Sequence, residues 1–244
     1  MRRILISWRG WNLYSYPTML YVGMVCGIFG AAWVAGLSGL DPDRFVLASM
    51  ILMVPSLIGA RLFFVASHWD LYRNDHARIW RRSEGGMAMY GGLLADVPVS
   101  VPLLYVMGLP FAKFWDAATF AILTGMIFTR FGCLLNGCCS GRPSASWLAI
   151  NLADHRGIRR RRLPTQLLEA AWATALLTAA FLLRGREPFT GAIFCSTLLA
   201  YGVGRYVLQK LRDDETVTDT GIIQLTSVML ALAGLIGMGL AWTW

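Results

Sequence analysis

PTMLYVGMVCGIFGAAWVAGLS, residues 17–38, contains no Asp, Glu, Lys or Arg. A bilayer core of ~30 Å needs roughly 20 apolar residues in a helix, so this run is long enough to cross it. In hydrocarbon every backbone amide must find its partner inside the protein, which makes a helix the solution available to one segment. Comparable runs recur near 46–67, 87–109, 115–139, 166–183, 190–209 and 221–243. The expected fold is an all-α membrane protein of seven transmembrane helices, in a single polytopic domain over residues 1–244. The third run is the weakest, because the glycine-rich stretch 85–92 and Asp96 interrupt it.

Composition supports the same reading. Hydrophobic residues make up 56% of the chain and charged residues 15%, against about 25% charged in an ordinary soluble domain. Mean hydropathy is +0.53. Ten Trp and eight Tyr suit aromatic belts at the headgroup level. These values exclude a soluble enzyme. The net charge of +8 points, on a membrane protein, to anionic lipid rather than nucleic acid. The first apolar run is too long for the hydrophobic region of a cleavable signal and lacks a well-placed small-residue cleavage site. Cys26, Cys133, Cys138, Cys139 and Cys195 are an odd set in apolar surroundings and do not read as a disulfide framework.

Three arginines, Arg61, Arg130 and Arg205, fall inside the apolar runs. An arginine in hydrocarbon costs from ~2.5 to over 10 kcal/mol and must face a wet cavity or a partner. Snorkelling, or pairing with Asp96, Asp116 or Glu169, would satisfy one of them. Three together favour an anion site, because guanidinium meets phosphate bidentately. Glycines frame two segments. Gly85, Gly86, Gly91 and Gly92 surround Tyr90, while Gly132, Gly137 and Gly141 surround Cys133, Asn136, Cys138 and Cys139. Small residues commonly let membrane helices pack closely. The polar residues inside both clusters suggest instead irregular backbone whose amides hold a headgroup. The adjacent Cys138 and Cys139 are open to three readings: nucleophile, redox pair, or small residues filling a tight turn. Metal ligation lacks support, since His68, His76 and His155 lie in loops without ligand spacing. No cofactor is expected. Tyr16, Tyr90 and Tyr201, taken singly, read as structural aromatics.

Taken in order, these motifs resemble the prolipoprotein diacylglyceryl transferase family. EGGMAMYGGLL, from Glu84, resembles the family's GGMSFHGGL. TRFGCLLNGCCSGRP, from Thr129, resembles GRIGNFINGExxGRP. PTQLLE, from Pro164 to Glu169, resembles HPSQLYE, and Tyr201-Gly202 with Arg205-Tyr206 resembles YGxxRF. Tyr16-Pro17 corresponds to a Tyr-Gly before the first helix, and Gly221 to Gln224 to the entry of the last. The matches run over nearly the whole chain. Departures fall at Tyr90 in place of His, Cys133 of Asn, Cys138 of Glu, Leu163 of His, and Gln209 of Glu.

The resemblance implies seven helices with a head region, here small and reduced, in the bacterial cytoplasmic (inner) membrane. It implies transfer of the diacylglyceryl group of phosphatidylglycerol, or another anionic phospholipid, to the lipobox cysteine of a prolipoprotein. The open alternatives are a different acceptor and a non-catalytic lipid-binding or transport role. By the resemblance, Arg130 and Arg205 would hold the lipid phosphate, with Tyr90 and Tyr16 beside them as catalytic candidates. Arg61, Glu84, Gly91, Gly92, Asn136, Cys138, Gly141 and Tyr201 would line the lipid site. The resemblance places the N-terminus outside the cytoplasm. The charge bias runs the other way: only Arg44, Lys113, Arg184 and Arg186 lie in loops opposite the N-terminus. The family's orientation is the one expected.

Overall fold

The computed structural model describes residues 4–8, 11–80, 88–153, 158–213 and 220–242. Each apolar run becomes a helix: α1 Ser15–Leu37, α2 Pro42–Ser67, α4 Met89–Met107, α5 Phe111–Asn136, α6 Thr165–Leu183, α7 Ala192–Gln209 and α8 Thr220–Trp242, with α3 a single turn at Trp69–Tyr72. Local chemistry moves the ends by a few residues. α2 begins four residues before the expected 46, because the Asp41 carboxylate accepts from the amides of Asp43 and Arg44 and Pro42 presets the first turn. α4 stops at Gly108, whose φ of 67° is left-handed. Despite Asp96, Pro98 and Pro102, α4 is continuous.

Six of these helices are long and apolar enough to cross a membrane. α7 falls short of the seven expected. Arg205 and Gln209 on its buried face lower its hydropathy. Large apolar side chains such as Phe29, Val54 and Leu240 are at least 60% exposed on the outer faces, as a lipid-facing surface requires. The chain is a multi-pass membrane protein.

Two small antiparallel sheets accompany the helices. β1 (Ile4–Trp8) pairs with β2 (Trp11–Tyr14). β3 (Ile150–Ala153) pairs with β4 (Arg159–Arg162), with Ile150 opposite Arg162. The second hairpin lies in what the sequence reading treats as a polar connection. Its arginine run becomes a strand because Arg162 turns inward to an ion pair with Asp213 while Arg159 to Arg161 stay exposed.

The chain divides into two compact units, residues 35–114 and residues 1–34 with 115–244. In the first, α2 packs on α4 with almost no space between backbones. A Cβ on Gly91 would lie 2.3 Å from the Gly59 carbonyl oxygen, and one on Gly92 2.7 Å from Ser56 Oγ. The irregular backbone expected around these glycines is therefore absent at Gly91 and Gly92. They are helical, and their smallness serves helix contact. Gly85 and Gly86 lie outside the described residues. Phe45 and Phe114, with ring centroids 5.1 Å apart, close the end of this unit.

In the second unit, α7 and α8 meet through small residues in the same way. A Cβ on Gly234 would lie 2.5 Å from the Cys195 carbonyl oxygen. Asp116 on α5 accepts from the amides of Gly191 and Phe194 at 2.6 and 2.9 Å, capping the start of α7. It is thus a helix cap rather than the arginine partner considered from sequence.

Candidate functional site

Within the second unit, α5, α6 and α7 each turn one polar stripe inward. On α7, Tyr201, Arg205 and Gln209 recur at four-residue spacing and are all buried. On α6, Gln166 and Glu169 are one turn apart and also buried. On α5, Arg130 and Cys133 have the same spacing, one turn before the helix ends.

These stripes converge on one carboxylate. Glu169 is 4% exposed. Arg130 Nη2 lies 2.5 Å from its Oε2, Arg205 Nη1 2.7 Å from its Oε1, and Arg212 Nη1 3.5 Å from Oε1. The arginine side chains are 14%, 7% and 8% exposed, respectively. Among the described residues, three guanidinium groups thus gather on one carboxylate in a poorly hydrated place. Pairing with Glu169, weighed from sequence for a single arginine, is realised for two of the three intramembrane arginines. Several polar atoms here have no hydrogen-bond partner among the described residues: both amide atoms of Gln209, Oε1 of Gln166 and Nε of Arg212. Gln209 and Gln166 are each 1% exposed. Leaving such groups unpaired costs about 1–3 kcal/mol apiece, a cost that a polar ligand would remove.

The end of α5 supplies the second half of the site. Gly137, at φ 77°, ends the helix, and the amides of Gly137 and Cys138 both donate to the Cys133 carbonyl. Cys139 is left-handed as well, at φ 62°, the one non-glycine residue so placed among those described. For such a residue this costs of the order of 1–3 kcal/mol and persists because the surroundings impose it. Thr165 Oγ1 donates to the Cys139 carbonyl at 2.8 Å and Gln166 Nε2 to the Cys138 carbonyl at 2.7 Å. The double reversal folds Cys138 and Cys139 back beneath Cys133, and the three sulfurs lie within 4.8 Å of one another. The Asn136 side chain hydrogen-bonds Cys138. Beyond the helix end, hydrogen bonds from Cys133 and Cys138, with the charges of Arg212 and Arg130, hold the Cys139 thiol below the usual cysteine range.

Residues 140–143 then cross between two other segments. The Gly141 amide donates to the Leu163 carbonyl and the Arg142 amide to the Leu211 carbonyl. A Cβ on Gly141 would sit 2.6 Å from one of those oxygens and 2.8 Å from the other. Only glycine fits.

The fold thus brings together Arg130, Asn136, Cys138, Gly141, Tyr201 and Arg205. Tyr16 joins them against Gly132, within electrostatic reach of Arg130 and the three thiols. Arg61, Tyr90, Gly91 and Gly92 belong to the first unit. There Arg61 Nε donates to the Ile79 carbonyl at 2.7 Å and Nη2 to the Arg78 carbonyl at 3.1 Å, with its guanidinium over the Tyr72 ring. Tyr90 is buried in the first turn of α4. Glu84 lies outside the described residues.

Sequence reasoning did not place Arg212, Gln166 or Gln209 in the site, and it weighed Glu169 as one possible arginine partner and a motif residue without making it the centre of the site. One signal was available: Glu169 is the single charged residue in the run 166–183, and such a residue must find a cation. Arg212 gave no signal, because it follows the helix and reads as loop.

A sequence profile described as prolipoprotein diacylglyceryl transferase matches residues 3–240. Among curated proteins, the phosphatidylglycerol–prolipoprotein diacylglyceryl transferase of Halalkalibacterium halodurans is 26% identical over 243 residues, covering 96% of this chain and 84% of its own. The protein of the same name from Finegoldia magna is 26% identical over 239 residues, covering 97% and 94%. That from Synechocystis is 27% identical over 245 residues, covering 94% and 85%.

Proposed function

The chain belongs to the prolipoprotein diacylglyceryl transferase family, and we propose on that basis that it moves the diacylglyceryl group of phosphatidylglycerol to the lipobox cysteine of a prolipoprotein. The observation that carries the reading is the convergence of three guanidinium groups, those of Arg130, Arg205 and Arg212, on Glu169. In the reaction a substrate thiolate attacks the diacylglyceryl carbon bearing the phosphate ester. A carbon–sulfur bond forms, the carbon–oxygen bond breaks, and its electron pair stays on glycerol phosphate. The phosphodiester carries one negative charge and the departing phosphomonoester approaches two. Fixed arginines in a dry site stabilise the charge that develops, which is the most effective place to spend binding energy.

Arg130 and Arg205 hold the phosphate, Arg212 adds charge, and the free amide of Gln209 meets a phosphate or glycerol oxygen. Tyr16 and Tyr201 border the same space. With a reference pKa of ~10, tyrosine is a poor base near pH 7 and a good hydrogen-bond donor. A relay through Cys138 does not fit this chemistry, because a thioether on the enzyme has no competent leaving group for a second transfer. α7 serves as the seventh span, its polar stripe facing the site rather than lipid. The membrane is the bacterial cytoplasmic membrane.

The test is incubation of the full-length protein with phosphatidylglycerol and a lipobox peptide. Mass spectrometry should find the peptide heavier by one diacylglyceryl group, with that product lost in Arg205→Ala. An unmodified peptide alongside lipid that stays bound would overturn the transferase reading in favour of lipid binding alone.

A further inference from the structure

We propose that Cys133, Cys138 and Cys139 form a trigonal thiolate site for a soft metal ion of the monovalent-copper type. This goes beyond the transferase reading and does not depend on it.

Among the described residues these three side chains form the group whose ligand atoms converge, all within 4.8 Å of one another. A metal–thiolate bond of about 2.3 Å places three sulfurs of a planar site about 4 Å apart. A triangle with 4.8 Å sides has its centre about 2.8 Å from each corner, so each sulfur need move inward by about half an ångström at most. The ligands come from the last turn of α5 and from a loop pinned at two carbonyls by Thr165 and Gln166. Within that loop Cys139 has left-handed backbone, at φ 62°. A disulfide would use two sulfurs and strand the third, whereas an ion uses all three. Thiolate-only donor sets select soft ions.

Charge favours the same occupant. A monovalent ion held by three thiolates is a complex of charge −2. Arg130, Arg205 and Arg212 gather around Glu169, and the charges of Arg130 and Arg212 reach Cys139. Few buried sites could offset such a complex. The same arginines serve the leaving phosphate, so a loaded metal site and a bound phospholipid anion compete for one set of cationic groups.

The experiment uses the full-length protein in detergent under reducing conditions. Cuprous ion is loaded and the excess removed by gel filtration, with a parallel sample loaded with zinc. The expected result is one retained copper per chain, an X-ray absorption edge fitted by three sulfur neighbours, and protection of all three thiols from maleimide. Cys139→Ser should retain less than a tenth of the copper, while the Cys26→Ser, Cys195→Ser double variant retains all of it. Because a serine variant can misfold, the absorption spectrum of the unaltered protein decides independently: nitrogen or oxygen neighbours overturn the site. So do equal copper in wild type and Cys139→Ser, full maleimide labelling in the presence of copper, or retention of zinc with no retention of copper. None of these readouts requires diacylglyceryl transfer, so a failed metal site leaves the transferase reading standing.

Discussion

Arg61 and Arg205 are equally buried, at 8% and 6% exposure, yet their surroundings differ in kind. Arg61 is satisfied by main-chain carbonyls of the segment that follows its own helix and by the face of Tyr72. It works as a fastener, holding residues 78–79 against α2. Arg205 is satisfied by a carboxylate shared with two other arginines, beside amides that have no partner among the described residues. Burial alone does not separate a structural arginine from a functional one. What separates them is the kind of partner: main-chain carbonyls and a ring hold Arg61 in place, whereas Arg205 shares a carboxylate with two other guanidinium groups.

The largest expected effect comes from removing the shared partner. Glu169→Ala leaves three buried guanidinium groups in mutual repulsion and should cost about 3–5 kcal/mol of stability, read as a fall in thermal midpoint in detergent. Glu169→Ala with an unchanged midpoint would mean that water already neutralises the cluster. Next, Arg205→Ala should lower kcat/KM for peptide modification about 10²–10³-fold, the usual loss for one charge-stabilising donor. Arg205→Lys should recover little of it, because an ammonium cannot meet phosphate with two parallel hydrogen bonds. Full rescue by lysine would turn the arginine from a geometric clamp into a point charge.

Arg61→Met should destabilise by about 1–3 kcal/mol, through carbonyls that lose their donor. Its kcat/KM per folded molecule should fall less than fivefold. A loss as large as that of Arg205→Ala would move Arg61 into the lipid site and erase the contrast. The smallest effect is expected at Arg73, whose exposed pair with Asp70 spans 3.3 Å. Arg73→Ala should change stability by less than about 0.5 kcal/mol.

The helices were legible because hydrocarbon enforces one pattern, about 20 apolar residues without charge, and every run of that kind became a helix. The membrane-depth arginines were legible for the same reason: each is an expensive exception. Gly91 and Gly92 misled, since a glycine pair permits either a broken helix or a tight helix contact, and only the opposing Gly59 and Ser56 decide between them. The thiol cluster was hidden because it needs left-handed backbone at Gly137 and at Cys139. Glycine announces that possibility, but cysteine does not. The β3–β4 hairpin was hidden because four consecutive arginines read as solvated charge, and the inward turn of Arg162 requires Asp213, 51 residues later.

The crossing at residues 140–143 also sets an order of assembly. Its hydrogen bonds reach forward to Leu163 and then to Leu211, so ribosomal synthesis must pass α7 before the crossing can close. Until then Arg130 and Cys133 are already in the bilayer without Arg205, Gln209 or Arg212. A nascent chain arrested before α7 therefore holds an open half-site, which must be sheltered until the last two helices arrive.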